Sequence, residues 1–280
     1  MRLLLVTCCV SSVLSWKMSL LHVNDIHARM EETSKYSRPC DETYKFARKY
    51  FGGLARISQT VRNFKAKEEN VVWLNGGDFF QGTIWYSKFK WEPIAQFNNL
   101  LSFDAMTLGN HEFDNGMDGI LPFMKNTSCP IVVANLNAVN MKTEFMNLYS
   151  PSTILNVGGK KVGVIGYITP ETVYTSSPPK ELEFLDEIEA VSKEVEKLTN
   201  QGVDIIIALG HSGYKKDKEI AETVLCIDIV VGAHSFLFSE TDNPKNPSKN
   251  EIQEPSSTAI TNTEEQILLV FEAFVFTKLS

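Results

Sequence analysis

The residues best suited to chemistry are concentrated in one stretch, Thr107-Leu108-Gly109-Asn110-His111-Glu112-Phe113-Asp114. The apolar run Ala105-Met106-Thr107-Leu108 leads into a glycine, and a carboxamide, an imidazole and two carboxylates then fall within five positions. Such a density of polar groups at the mouth of a buried strand fits something charged. In this reading Asn110 binds a metal ion, while His111 and Asp114 form an imidazole–carboxylate pair facing a phosphate. The competing assignment is a helix N-terminus, with Asn110 as cap and Glu112 and Asp114 favourably placed in the first turn.

Four further turns carry groups of the same kind. Asp25-Ile26-His27 follows a strand-like run ending at Val23, and Asn75-Gly76-Gly77-Asp78 follows Val71-Val72-Trp73-Leu74. Gly210-His211-Ser212-Gly213 follows the very apolar stretch Asp204 to Leu209, and Gly232-Ala233-His234 follows Ile227 to Val231. Each turn has an ordinary explanation: a tight turn that favours Asp, a helix start capped by Ser212, a core histidine at His234. Their common position is what points to function, because ligands gather at the carboxyl ends of strands in open α/β sheets. Four of the five histidines lie in these turns, and the fifth, His22, sits inside a strand and reads as structural. Asp25 and His27 would point to one side of an extended segment.

A mixed Asp/His/Asn set suits a pair of divalent ions better than one closed structural zinc site. Two such ions about 4 Å apart clamp the attacking and leaving oxygens of a phosphoryl displacement. Asp78 is the candidate bridge between them. His111 would stabilise or protonate charge developing on phosphate, and Asp114 would orient that ring and raise its basicity. Zinc, manganese or a similar ion would suit such donors, and the residues do not choose among them.

The elements that must position these turns alternate between strand and helix. Met18 to Val23 is a first strand. Gly52-Gly53 opens a helix with Leu54, Ile57, Val61 and Phe64 at helical spacing. Another helix starts at Pro93 and runs through Leu101, and one begins near Gly116. Ile131 to Ala134 reads as a buried strand. Ile154 to Val157 and Lys161 to Gly166 read as a hairpin about Gly158-Gly159. Glu181 to Asn200 reads as a helix with Leu185, Ile188, Val191, Val195 and Leu198 on one face, closed by Gly202. A short helix follows Gly213. Arg29 to Tyr50 and Asn243 to Ser257 read as loops, and Ile267 to Leu279 as a last apolar strand. This alternation predicts an α/β domain with a largely parallel sheet.

Of the 280 residues 43% are hydrophobic and 22% charged, enough to bury a sizeable core. A formal net charge of -7 without a basic stripe argues against a nucleic-acid partner. Met1 to Trp16 reads as a secretory signal peptide, leaving residues 17–280 as the mature unit, secreted and extracellular. Cys8 and Cys9 leave with the signal, so Cys40, Cys129 and Cys226 remain, an odd number compatible with one bridge or none. Asn126-Thr127-Ser128 is a glycosylation sequon, consistent with an exported glycoprotein. The apolar tail is too short for a spanning helix or a lipid-anchor signal, so no stable membrane anchor is expected. Nothing in the sequence sets the oligomeric state.

The ordered set Asp25-Ile26-His27, Gly76-Gly77-Asp78, Gly109-Asn110-His111-Glu112, Gly210-His211-Ser212 and Gly232-Ala233-His234 resembles the calcineurin-like metallophosphoesterases, and more closely the 5′-nucleotidase/apyrase family. Gly52-Gly53-Leu54-Ala55-Arg56, Val133-Ala134-Asn135-Leu136-Asn137 and Ile165-Gly166-Tyr167-Ile168-Thr169-Pro170-Glu171 support it, and the likeness runs from about Leu20 to Leu279. The resemblance implies two stacked mixed β-sheets flanked by helices, two divalent metal ions, and hydrolysis of phosphate from extracellular nucleotides (AMP, ADP or ATP) by a metal-activated water. Carried over position by position, it implies Asp25, His27, Asp78, Asn110, His211 and His234 as ligands, with Asp78 bridging, and His111 with Asp114 as the catalytic pair.

Two departures from the family pattern stand out. Phe236 occupies a position where the family has an Asn, Gln or His ligand. The chain also halts after Ile267 to Lys278, so the family's last edge strand and its nucleotide-binding C-terminal domain are expected to be absent. The alternatives that follow are a catalytically weakened or inactive nucleotide- or metal-binding relic, and a phosphodiesterase of broad range.

Overall fold

The computed structural model describes residues 16–34, 38–46, 50–138, 141, 143–235 and 269–274. Its centre is a pair of four-stranded sheets. The first is built from β1 (Lys17–Val23), β2 (Val71–Asn75), β3 (Ala105–Met106) and β8 (Leu269–Phe274), in the order β8-β1-β2-β3. The second is built from β4 (Ser152–Val157), β5 (Lys160–Ile168), β6 (Ile205–His211) and β7 (Ile229–Val231), in the order β7-β6-β5-β4. Strands β1, β2 and β3 are parallel, with β8 antiparallel on β1. Strands β5, β6 and β7 are likewise parallel, with β4 antiparallel on β5. Each sheet is therefore mixed, more so than the alternation of elements alone suggested.

The two-residue period of the strands explains the stacking. Met18, Leu20, Val72 and Leu74 of the first sheet pack against Val162, Val164, Ile205, Ile207 and Leu209 of the second. The intervening Leu21, Val23 and Trp73 point to the other face of the first sheet, among Leu54, Ile57, Ile94 and Ile120. These come from helices α1 (Leu54–Lys65), α2 (Trp91–Leu101) and α3 (Gly116–Asn126). On the outer face of the second sheet Ile165, Tyr167, Ile206 and Ala208 meet Val191, Val195, Leu198 and Ile220. Those belong to α4 (Glu187–Asn200) and α5 (Tyr214–Thr223). The central strands are covered on both faces, which is why they read as continuous apolar runs.

Three local expectations are corrected. The helix predicted over Glu181 to Asn200 begins at Glu187, because Glu183–Phe184 pairs as a short strand with Leu136–Asn137 and Leu185 stands 46% exposed. Ile131 to Ala134 is not a strand but makes only single bridges, Ile131 to Met106 and Val132 to Ser150. The segment from Arg29 to Tyr50 is not wholly loop, since Glu32–Thr33 pairs with Phe51–Gly52 and Glu42–Phe46 is helical.

The end of α4 is as expected: Gly202 has φ 69, its N–H donates to the Thr199 carbonyl, and the Val203 N–H reaches Leu198. Cys40, Cys129 and Cys226 are unbridged. Among the described residues no helix is long and apolar enough to cross a membrane. The segment read as a signal peptide through Ser15, Phe236 and the 243–257 stretch lie outside the described residues.

Candidate active site

All five turns lie at the carboxyl ends of the parallel strands, and backbone hydrogen bonds lace them together. The Asp25 N–H donates to Gly77 O at 2.9 Å, the His27 N–H to Asp78 O at 3.0 Å and the Ala28 N–H to Phe79 O at 2.8 Å. Asp25 and His27 do not converge through an extended segment. Both have left-handed backbones, with φ 53 and 49, so the turn rather than a two-residue period aims them. Gly77 (φ 89) and Gly109 face each other across the next two loops. A Cβ on Gly109 would run into the Asp78 carboxylate, and one on Gly77 into the Gly109 backbone.

Glu112 locks this approach. Fully buried, it accepts N–H groups from Gly109 (2.6 Å), Asp78 (2.9 Å), Phe79 (2.8 Å) and Phe80 (3.2 Å). Asn110 is therefore not a helix cap. It is the first residue of a 3-10 turn, Asn110–Phe113, that follows Gly109.

His211 ends β6 with its Nδ1 2.7 Å from the Gly76 carbonyl, so Nδ1 carries a proton and Nε2 faces inward. That Nε2 lies 3.0 Å from Asp78 Oδ2 and 3.3 Å from His234 Nδ1. Burial disfavours a charge on His211, but the neighbouring Asp78 and then Asp25 hold the ring up at about 10. Burial likewise raises Asp78, yet His211 and the backbone N–H of His111 hold it down at about 2. Burial and the neighbouring His211 push His234 down.

Two triads of donor atoms each lie within 4.8 Å of one another: His27, Asp78 and His111, and Asp78, His211 and His234. Asp78 is common to both. Asp25 touches either side, with Oδ2 accepting the His234 N–H at 3.1 Å and Oδ1 3.8 Å from His27 Nε2. Asn110 Oδ1 is buried with no hydrogen-bond partner. An orphaned acceptor of this kind costs about 1–3 kcal/mol, and a cation would satisfy it. The carboxylate, imidazole and carboxamide donors fit a divalent ion.

His111 is itself the third member of the first triad, its ring centroid 5.3 Å from that of His27. Its Nδ1 lies 2.8 Å from Asp114 Oδ2. That hydrogen bond, acting against burial, raises the pKa of the ring. Burial would raise Asp114, but the donors His111, Ser176 and Gln81 hold it below the usual carboxylate range.

The sequence matches the calcineurin-like phosphoesterase family over residues 18–236. The chain belongs to that family. Members of this phosphoesterase family hydrolyse phosphate esters and use divalent metals. The chain is 42% identical to mouse (Mus musculus) 5′-nucleotidase over 94% of its own length and 45% of that protein. It is 44% identical to the snake venom 5′-nucleotidase of Naja atra over 82% of its length and 43% of that protein. Among solved structures, a 5′-nucleotidase precursor from Thermus thermophilus superposes with a TM-score of 0.71 at 32% identity, over 81% of this chain and 43% of that one. The chain thus spans less than half the length of these relatives.

Three residues that hold this candidate site together were missed in the sequence. Glu112 carried a signal, an acid in a motif facing a glycine turn rich in free N–H groups. Gln81 and Ser176 carried none, because only the fold brings them to Asp114.

Proposed function

We propose that this chain is a secreted, metal-dependent hydrolase that releases phosphate from extracellular nucleotides, of 5′-nucleotidase or apyrase type, with two divalent ions. The observation that carries the reading is the membership of Asp78 in both donor triads, as expected of a carboxylate that bridges two cations. In this reading Asp25 and His27 would serve one ion and His211 and His234 the other, with Asn110 as a further ligand of the pair. Bound there, the ions neutralise phosphoryl oxygens and acidify an attacking water.

The remaining work falls to the chain's own side chains. With Nδ1 held by Asp114, the His111 ring in its protonated form would present Nε2–H to charge developing on the phosphoryl or leaving oxygen. Asp114 keeps the tautomer and stabilises the ring when it is protonated. Export is supported by the apolar leader and by the venom relative. The sequon residue Asn126 stands exposed at the end of α3.

The test is phosphate release from AMP, ADP, ATP and bis-p-nitrophenyl phosphate under a series of divalent ions. Release from one or more of the nucleotides, abolished by chelation and by Asp78→Ala, is the expected result. Activity that survives both sinks the proposal. Stoichiometric metal without turnover would instead indicate a binding protein, and preference for the diester a phosphodiesterase.

A further inference from the structure

We propose that Gln81 and Ser176 are positioning residues for His111, clamping the Asp114 carboxylate from two sides so that the ring keeps one tautomer and one direction. The proposal rests on the hydrolase reading for its kinetic consequence, while its structural content stands on geometry alone. Three side-chain donors meet one carboxylate. His111 Nδ1 (2.8 Å) and Gln81 Nε2 (2.6 Å) share Oδ2, and Ser176 Oγ (2.6 Å) takes Oδ1.

The three donors come from separate segments: the turn after β2, the 3-10 turn after β3, and the end of a short helix, Thr172–Thr175, that follows β5. An aspartate held only by the ring could rotate about its terminal torsion and exchange oxygens, since that torsion is broad and roughly two-fold. With both oxygens occupied by donors from different directions, rotation breaks hydrogen bonds on each side.

Gln81 is itself fixed. Its backbone is left-handed (φ 66), uncommon for a residue with a side chain. Gly82 follows with φ 98, and a Cβ there would strike the His27 carbonyl. Thr83 Oγ1 then donates to the Ala28 carbonyl at 2.7 Å. The glutamine thus sits on a turn fastened to the His27 loop and three residues from Asp78. Through it, the orientation of the acid–base pair is tied to the loops that carry the candidate metal ligands.

The experiment compares wild type, Gln81→Met, Ser176→Ala, the double variant and Ser176→Thr, which keeps the hydroxyl. Nitrogen-15 histidine NMR of the metal-free full chain, above the titration of the ring, reads the His111 tautomer directly. Wild type and Ser176→Thr should show one Nδ1–H tautomer. The double variant should show a mixture, with Ser176→Ala standing in should the double variant not fold. Phosphate release from AMP with metal should fall roughly 10–100-fold in kcat in the double variant, of the order seen when outer partners of a site residue are removed, with KM within about twofold. An unchanged tautomer in the double variant overturns the clamp, as does an equal loss of kcat in Ser176→Thr. Should wild type release no phosphate, the hydrolase reading fails, and the tautomer measurement still decides the clamp.

Discussion

Glu112 and Asp114 stand two residues apart in one motif, yet they hold entirely different partners. Glu112 is fully buried and takes four backbone N–H groups from two loops. Asp114 is partly exposed and takes three side-chain donors. A carboxylate that holds backbone decides where loops lie, whereas one that holds side chains decides where a ring points. Burial and then the nearby Asp78 push Glu112 up to about 7, opposed by the N–H donors of Gly109 and Asp78. Four donors on its two oxygens are the arrangement of an ionised, acceptor-only carboxylate.

The sharpest way to break this contrast is Glu112→Gln. The amide keeps the shape but offers one acceptor oxygen, and it turns an NH2 group toward N–H donors that are already buried. Leaving two or more of them unpaired should lower unfolding free energy by about 4 kcal/mol, read from urea denaturation. A loss below about 1 kcal/mol would mean that the loops hold themselves. The complementary change, Asp114→Asn, should leave stability within about 1 kcal/mol of wild type. It should cut kcat for phosphate release by roughly 10²–10³-fold, about 3–4 kcal/mol of barrier. Equal effects of the two substitutions on stability would erase the distinction.

A side chain whose titration is governed chiefly by burial makes a third case. His22, 3% exposed within β1, has its pKa lowered to about 4 by burial, partly offset by a hydrogen bond with Asn24. The unfolded ring binds a proton near pH 6.5 and the folded ring only near 4, so the unfolded state holds more protons between those values. Stability contributed by neutral His22 is therefore complete above pH 6.5 and lost as pH falls toward 4, about 3 kcal/mol in all. Denaturation at about pH 7 and about pH 4.5 should show a smaller acid loss in His22→Gln than in wild type. Equal acid losses would assign the acid sensitivity to other groups.

What could be read in the sequence follows the same division. The five turns were legible because Gly, Asn, Asp and His crowd the ends of apolar strands, and α1 because Leu54, Ile57 and Val61 recur on a buried face. Contacts made across the fold were not legible. Gln81 lies 33 residues from Asp114 and Ser176 lies 62, and nothing local marks either as its donor. The turn geometry at Asp25 and His27 was misread as extended because a two-residue spacing looks alike in a strand and in a left-handed turn. The start of α4 failed for a tertiary reason. Leu182 and Leu185 continue the helical period, but Asn135 captures the segment, accepting the Leu185 N–H through its backbone oxygen (2.8 Å) and donating Nδ2 to the Leu185 carbonyl (3.0 Å).

That same failure supplies the weakest carboxylate of the series. Asp186 is the cap that the periodicity hid, its Oδ1 accepting the Glu189 N–H at 2.9 Å at an exposed helix start. Glu187 and Glu189 follow in the first turn, where negative charge suits the helix dipole. Here one carboxylate meets one backbone N–H that water could otherwise serve, against four buried ones at Glu112. Asp186→Ala should therefore cost only about 1 kcal/mol of stability, and phosphate release should be unchanged because α4 packs on the outer face of the second sheet. Asp186→Asn or Ser should restore most of the loss, since either still caps. If Asp186→Ala cost as much as Glu112→Gln, the number of buried N–H partners would not be what separates these carboxylates. Thermal unfolding of the three Asp186 variants beside Glu112→Gln measures that directly.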